Sequence, residues 1–131
     1  MARYHGKKGL LYMAADGAAA AVAVVNAAAW SLDGTSDTAD VTCFGDTHKV
    51  YVLGLRDCKG AFSGFWDETA DVPFDAMESE DAVNMYLYPS SDAITKYWYG
   101  SGYVDCSVDV PVDGPVAISG NWVAASTWTR L

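Results

Sequence analysis

Tyr51-Val-Leu-Gly-Leu-Arg-Asp-Cys-Lys-Gly-Ala-Phe-Ser-Gly-Phe-Trp66 is the stretch whose reading decides the fold. Gly54, Gly60 and Gly64 sit inside strand-like patterns, where glycine usually marks a bulge or a close backbone approach. Val50–Leu55 and Gly60–Trp66 therefore read as two strands, with Arg56-Asp57-Cys58-Lys59 as the hairpin between them. Upstream, Trp30-Ser-Leu-Asp33 alternates as a strand does, and a strand is expected over about 22–32. The alanines of Ala18–Ala29 favour helix, but Val22, Val24 and Val25 are β-branched and oppose it.

Further outward the same vocabulary recurs. Lys8–Met13 reads as a short first strand, and Asn84–Tyr88, Thr95–Tyr99, Tyr103–Val112, Val116–Ser119 and Val123–Thr129 as later ones. Gly100-Ser-Gly102 and Asp113-Gly-Pro115 read as turns. In Tyr103–Val112, Val104, Cys106, Val108 and Val110 share one face while Asp105, Ser107 and Asp109 share the other. Trp122 and Trp128 are expected in packing or contact roles. Asp75-Ala-Met-Glu78 has capping-box spacing and predicts one short helix over about 76–83. Many short strands with one helix indicate a single mainly β domain over 1–131, a small barrel or sandwich with one flanking helix. Gly34–Lys49 is polar and acid-rich around the apolar piece Val41-Thr-Cys-Phe44. It is long for a connection, and such loops are usually functional.

The chain of 131 residues carries a net charge of −9, concentrated in the middle. Twelve acids and three bases lie between Asp33 and Asp81, whereas residues 1–10 hold Arg3, Lys7 and Lys8 and no acid. A chain this acidic is a poor match for a nucleic-acid backbone, which is gripped by cations that replace counterions. Opposite charge at separate places favours head-to-tail contact between copies. The three cysteines, Cys43, Cys58 and Cys106, match no zinc spacing and read as small buried side chains in a reducing cytoplasm. No cofactor or metal is expected. Nucleophile contexts, phosphate loops and ligand clusters are not seen, and the adjacent acids Asp67-Glu68 read as solvated rather than catalytic. Bases before the apolar run Ala18–Val25 mimic a secretion signal. Asp16-Gly17 interrupts the pattern and the run is too short to span a bilayer, so neither export nor membrane insertion is expected.

Five short elements occur in a telling order: Trp30-Ser-Leu; Val41-Thr-x-Phe-Gly-Asp46; Lys49-x-Tyr-Val; Gly60-x-Phe-Ser-Gly64; and Trp66-Asp67. Together with His5-Gly-Lys-Lys-Gly9 at the start and Trp128-Thr-Arg130 at the end, the chain resembles the major tail tube protein of long-tailed, non-contractile bacteriophages. The resemblance implies a non-enzymatic virion protein whose copies form six-membered rings stacked into a hollow tube. It implies a tape-measure protein, a tip or initiator and a terminator as partners. DNA would pass through without specific binding, along a lumen that is commonly acidic in this family. The subunit would be made in the host cytoplasm and end in the virion tail.

On that basis 1–10 is the expected N-terminal arm and 34–49 an extended assembly loop, mobile until it docks. Candidate ring-stacking residues are Arg3, Lys7, Lys8, Asp37, Asp40, Val41, Phe44 and Asp46. Candidate lumen acids, flanking the central hairpin, are Asp57, Asp67, Glu68 and Asp71. Two other readings stay open. One is a carbohydrate-binding β-sandwich using Trp66, Tyr97, Trp98, Tyr99, Trp122 and Trp128 as a platform. The other is a small tail component such as a terminator, or a tube from a contractile tail.

Overall fold

A computed structural model describes residues 3–24, 26–68 and 72–131. The described residues form eight strands and one α-helix: β1 Leu10–Met13, β2 Val22–Ala23, β3 Ala27–Asp40, β4 Tyr51–Phe65, α1 Val72–Glu78, β5 Val83–Tyr88, β6 Trp98–Asp109, β7 Ala117–Ala124 and β8 Thr129–Arg130. All belong to one antiparallel sheet of order β2-β1-β5-β6-β7-β4-β3, with β8 beside the first residues of β6. Mainly β structure with one short helix agrees with the sequence. The sheet curls without closing into a barrel. Trp30 on β3 meets Trp98 on β6 edge to face, 6.2 Å between centroids, although β7 and β4 separate those strands in the ladder.

Period-two alternation gives the sheet a clean inner face. Leu11 and Met13 on β1, Val83, Met85 and Leu87 on β5, Val104 on β6, Ile118 and Trp122 on β7 and Phe62 on β4 are all buried. Pro73 and Ala76 of α1 cover one end of this face. The centre is held by bulky rings opposed to glycines. In the ladders Gly60 faces Trp122, and Phe62 faces Gly120. A Cβ on Gly60 would meet the Ser31 carbonyl and the Trp122 indole, and one on Gly120 the Asp105 carbonyl and the Phe62 ring. The rings lie flat across their neighbours' backbones because nothing projects there. Trp128 then stacks on Trp122 at 4.4 Å and donates its Nε1–H to the Ser101 carbonyl.

Five sequence expectations change. Arg56–Lys59 is not a hairpin: β4 runs unbroken from Tyr51 to Phe65 because Arg56, Asp57, Cys58 and Lys59 pair with Ser36, Thr35, Gly34 and Asp33. The turn is instead at 41–50, and Gly34–Asp40, expected as loop, is the second half of β3. Gly100–Gly102 is likewise strand, with Gly100 lying under Trp128. The expected strand over 22–32 is broken at Asn26, whose φ of 59° turns the chain between β2 and β3. The helix begins near Val72, four residues early. Pro73 suits a first helical turn and Asp75 favours its positive end, while Ser79 and Asp81 bond to each other and end it.

Gly120→Val should destabilise the protein by about 1–3 kcal/mol, since one of the groups it would strike is backbone that cannot yield. Gly34→Ala, with nothing within 4 Å of the added carbon, should stay within about 1 kcal/mol of wild type. Urea unfolding of both variants reads the difference.

Candidate functional site

The distal half of the β3–β4 hairpin extends beyond the rest of the sheet. β7 pairs with β4 only from Lys59 to Phe65, so 51–58 has β3 on one side and no strand on the other among the described residues. The extra residue of a β-bulge lies between the Ser36–Arg56 and Thr38–Leu53 pairs. All described residues from Asp33 to Asp57 are exposed. Many of them are apolar: Val41, Phe44, Val50, Tyr51, Val52, Leu53 and Leu55, with Leu55 82% and Phe44 fully exposed. A row of apolar side chains on a strand with open edges marks a protein contact surface.

The tip of this arm is ordered by its own polar groups. Asp40 Oδ1 accepts the Thr42 amide at 3.0 Å and the Thr42 hydroxyl at 2.6 Å. Thr42 Oγ1 accepts from the Val50 amide at 2.9 Å, and the Val50 carbonyl from the Val41 amide at 2.9 Å. Asp46 Oδ2 accepts the Cys43 amide at 2.7 Å, and Gly45 takes a φ of 92° that side chains disfavour. The effect is to hold Phe44 outward. The Thr42 hydroxyl, then its amide, holds the Asp40 carboxyl below the usual aspartate value.

The structure brings Asp37, Asp40, Val41, Phe44 and Asp46 together on this arm and places the bases elsewhere. Arg3 is exposed, and Lys7 and Lys8 lie in a 3-10 turn, Gly6–Lys8, capped by His5 Nδ1. Lys8 pairs with Asp92 at 2.8 Å, and its carbonyl accepts the Ser91 amide. The proposed N-terminal arm is thus anchored from Gly6 onward.

The four acids named for the lumen are not gathered together. Asp57 lies in the middle of β4, while Asp67 and Glu68 follow its far end at Phe65, which is about 26 Å away along the extended strand. Asp67 Oδ2 lies 3.5 Å from Asn26 Nδ2. Asp71 lies outside the described residues. The hairpin they were to flank does not exist there.

Register puts Asp57 on the outer face of the sheet with Asp33, Lys59, Asp105 and Asp109. Between them runs a shallow trough of about 540 Å³ walled by Ser31, Ser63, Ser107, Ser119 and Asn121. Nearer β5 the same face carries Tyr12, Tyr86, Tyr88, Tyr97 and Tyr99 in mutual ring contact, with centroids 5.0 to 5.9 Å apart. The six aromatics of the carbohydrate reading do not form one row. Trp122 is buried, Trp98 and Trp128 pack beside it, and Tyr97 and Tyr99 join the tyrosine cluster. Burial pushes the Cys58 thiol up, with Asp57 and Asp33 adding to it, and burial likewise raises Cys106. Cys43 is exposed, contrary to the expectation of three buried thiols. Among the described residues no group of His, Cys, Asp and Glu is arranged to hold a metal ion, and no helix is long and apolar enough to cross a membrane.

Sequence reasoning missed the exposure of Tyr51–Leu55. A continuous apolar run reads as buried strand, and its only warning was the company of acids opposite, at Asp37 and Asp40.

Because Asp40 is held ionised by Thr42, its stabilisation of the tip is complete above the ordinary value of 3.8 and is lost as pH falls through the lowered one. The Thr42 amide resonance should therefore titrate with a midpoint below 3.8. A midpoint at or above that value would mean the tip is not preorganised.

No protein-family model matches the chain, and no curated protein does. Solved structures do. A chain from the tail of an empty gene transfer agent particle, determined with C6 symmetry, superposes with a TM-score of 0.77 at 13% identity, covering 98% of this chain and 99% of that one. A chain of the native gene transfer agent virion gives 0.75 at 14% identity, with coverage of 98% and 99%. The SPP1 tail tube gives 0.77 at 11% identity, covering 98% of this chain and 78% of that one. From end to end, this chain has the fold of the subunits in those tail structures.

Proposed function

We propose that the chain is a structural tail tube subunit whose copies form six-membered rings and stack into a hollow tube for DNA delivery. The observation that carries this reading is the β3–β4 arm. It is a two-stranded ribbon with open edges and exposed apolar side chains, on a fold shared over 98% of the chain with tail structures, one of them of C6 symmetry. A lone hairpin is marginal in water, and a protein that exposes one in this form gains by covering it with another copy.

In this reading the arm residues Asp37, Asp40, Val41, Phe44 and Asp46 make subunit contacts, and Arg3 and Lys7 face acidic surface of a neighbour. The outer face of the sheet lines the lumen. Around the trough its side chains are small and polar, and Asp33, Asp57, Asp105 and Asp109 repel phosphate near contact. Salt confines that repulsion to about 8 Å at physiological strength, so the acids act as a non-stick wall rather than a long-range barrier. Asp67 and Glu68, which follow β4, join this wall in the assembled ring, and Asp71 is assigned to it from the sequence. A tape-measure protein, a tip or initiator, a terminator and passage through the host cytoplasm complete the proposal, and the protein performs no chemistry of its own.

Replacing residues 37–55 with Asn-Gly, so that Ser36 and Arg56 are joined by a tight turn, removes only exposed residues. The variant should fold with the wild-type melting curve and fail to form tubes by electron microscopy. Tubes of normal diameter from it would refute the role given to the arm. Conversely, Asp105→Lys with Asp109→Lys should still form tubes, but tubes that retain duplex DNA at low salt and release it at high salt. Equal indifference to DNA would place the lumen on another face.

A further inference from the structure

At the root of the arm, on the inner side of the sheet, lies an open groove of about 520 Å³. Leu32, Trp98 and Trp128 line it, together with Arg56, Arg130 and Ser126. Two of the eight bases in a chain of net charge −9 thus border one depression walled in part by indole rings. Among the described residues neither arginine has an ion-pair partner. Asp57 also borders the groove, but register turns its side chain to the outer face, where its Oδ1 takes the Cys58 amide at 2.8 Å.

The arm tip has the complementary character. Phe44 is fully exposed on a loop held by hydrogen bonds, flanked by Asp40 and Asp46. Each of these acids secures the loop through one carboxylate oxygen, which leaves the other to a guanidinium. We propose that Phe44 of one copy seats in the Trp98–Trp128–Leu32 groove of the next, with Asp40 and Asp46 against Arg56 and Arg130. This rests on the tube reading and names the receptor for the arm.

Three physical points favour this partner. The tip cannot serve its own groove, since the paired ribbon from Arg56 to Tyr51 holds it on the order of 17 Å away. A phenylalanine in an aromatic-walled groove buries on the order of 200 Å² and leaves charged pairs at the rim, the usual anatomy of a contact hot spot. Because the loop is already ordered, little freedom is lost on docking. Knob and groove occupy different parts of the molecule, so the contact is heterologous and repeats from copy to copy instead of closing a pair.

The test uses the full chain with Ala125→Cys, a position on the groove wall, and the native Cys43 beside Phe44. Mild oxidation of assembled protein should produce an intermolecular bond between Cys43 and the introduced thiol, mapped by peptide mass spectrometry. Ala28→Cys, beside the apolar groove between Gly9 and Trp30, is the control and should give none. Phe44→Ala and the double variant Arg56→Glu, Arg130→Glu should each raise the concentration needed for assembly at least tenfold while leaving the near-UV circular dichroism of the monomer unchanged. Normal tubes of the Ala125→Cys protein without a Cys43 bond at that position, a bond at the Ala28→Cys position instead, or unaltered assembly of Phe44→Ala would overturn this contact and leave the tube reading standing. A wild-type chain that forms neither rings nor tubes at any concentration would overturn both.

Discussion

A flat aromatic ring laid over a glycine is the contact on which the rest of this structure depends. Trp122 lies over Gly60 and Phe62 over Gly120, so two of the largest core side chains occupy the space that their ladder partners leave empty. Any side chain at either glycine would lift a ring from the sheet, and with it the stack of Trp128 on Trp122 and the covering of the Ser101 carbonyl. The same interlock lets a single layer curl enough for β3 to meet β6 through Trp30 and Trp98. Packing is what these residues serve: the Trp122 Nε1–H has no hydrogen-bond partner among the described residues, a cost on the order of 1–3 kcal/mol accepted for shape.

Curling without closure has a consequence at the sheet's edge. β3 is the last strand of the ladder and β7 reaches β4 only from Lys59 onward, so the distal halves of β3 and β4 have no neighbour but each other among the described residues. Burial ends near Cys58, and everything beyond is solvent-exposed ribbon. Such a ribbon gains little from its own hydrophobic contacts, and its order comes from ladder bonds and from the Asp40, Thr42 and Asp46 bonds at the tip. Those bonds keep apolar side chains presented rather than collapsed, which is what an interaction arm requires and an isolated domain does not.

Charge is distributed to match. Around its trough the outer face is built from Ser, Asn, Ala and Asp, residues that neither stack on bases nor attract phosphate; its tyrosines are gathered toward β5, and its one central base, Lys59, sits opposite Asp33. Arginines lie instead at the arm root and the C-terminal strand, bordering apolar rings. In the proposed tube the first surface would face the passing DNA and the second a neighbouring subunit.

Much of the fold was legible in the residues. Alternation in Tyr103–Val112 and the run Asn84–Tyr88 announced strands, and a mainly β chain with one short helix follows from local pattern because period-two burial is written into each strand separately. That Val41 and Phe44 form an apolar piece within a polar, acid-rich stretch was also legible, and the structure leaves both exposed at the tip of the ribbon. What sequence alone misread was set by partners far away in the chain. Arg56–Lys59 has the composition of a turn and is strand because Asp33–Ser36 pairs with it. Gly100 and Gly102 read as a turn and are strand because β7 and Trp128 pack against them. Tyr51–Leu55 has the composition of a core strand and is exposed because β7 ends before reaching it. Local composition determined which residues form strands; only the pairing of strands decided which faces are buried, where the arm begins, and which arginines meet which rings. Burial depends on the neighbour opposite, and the identity of that neighbour is a property of the folded sheet.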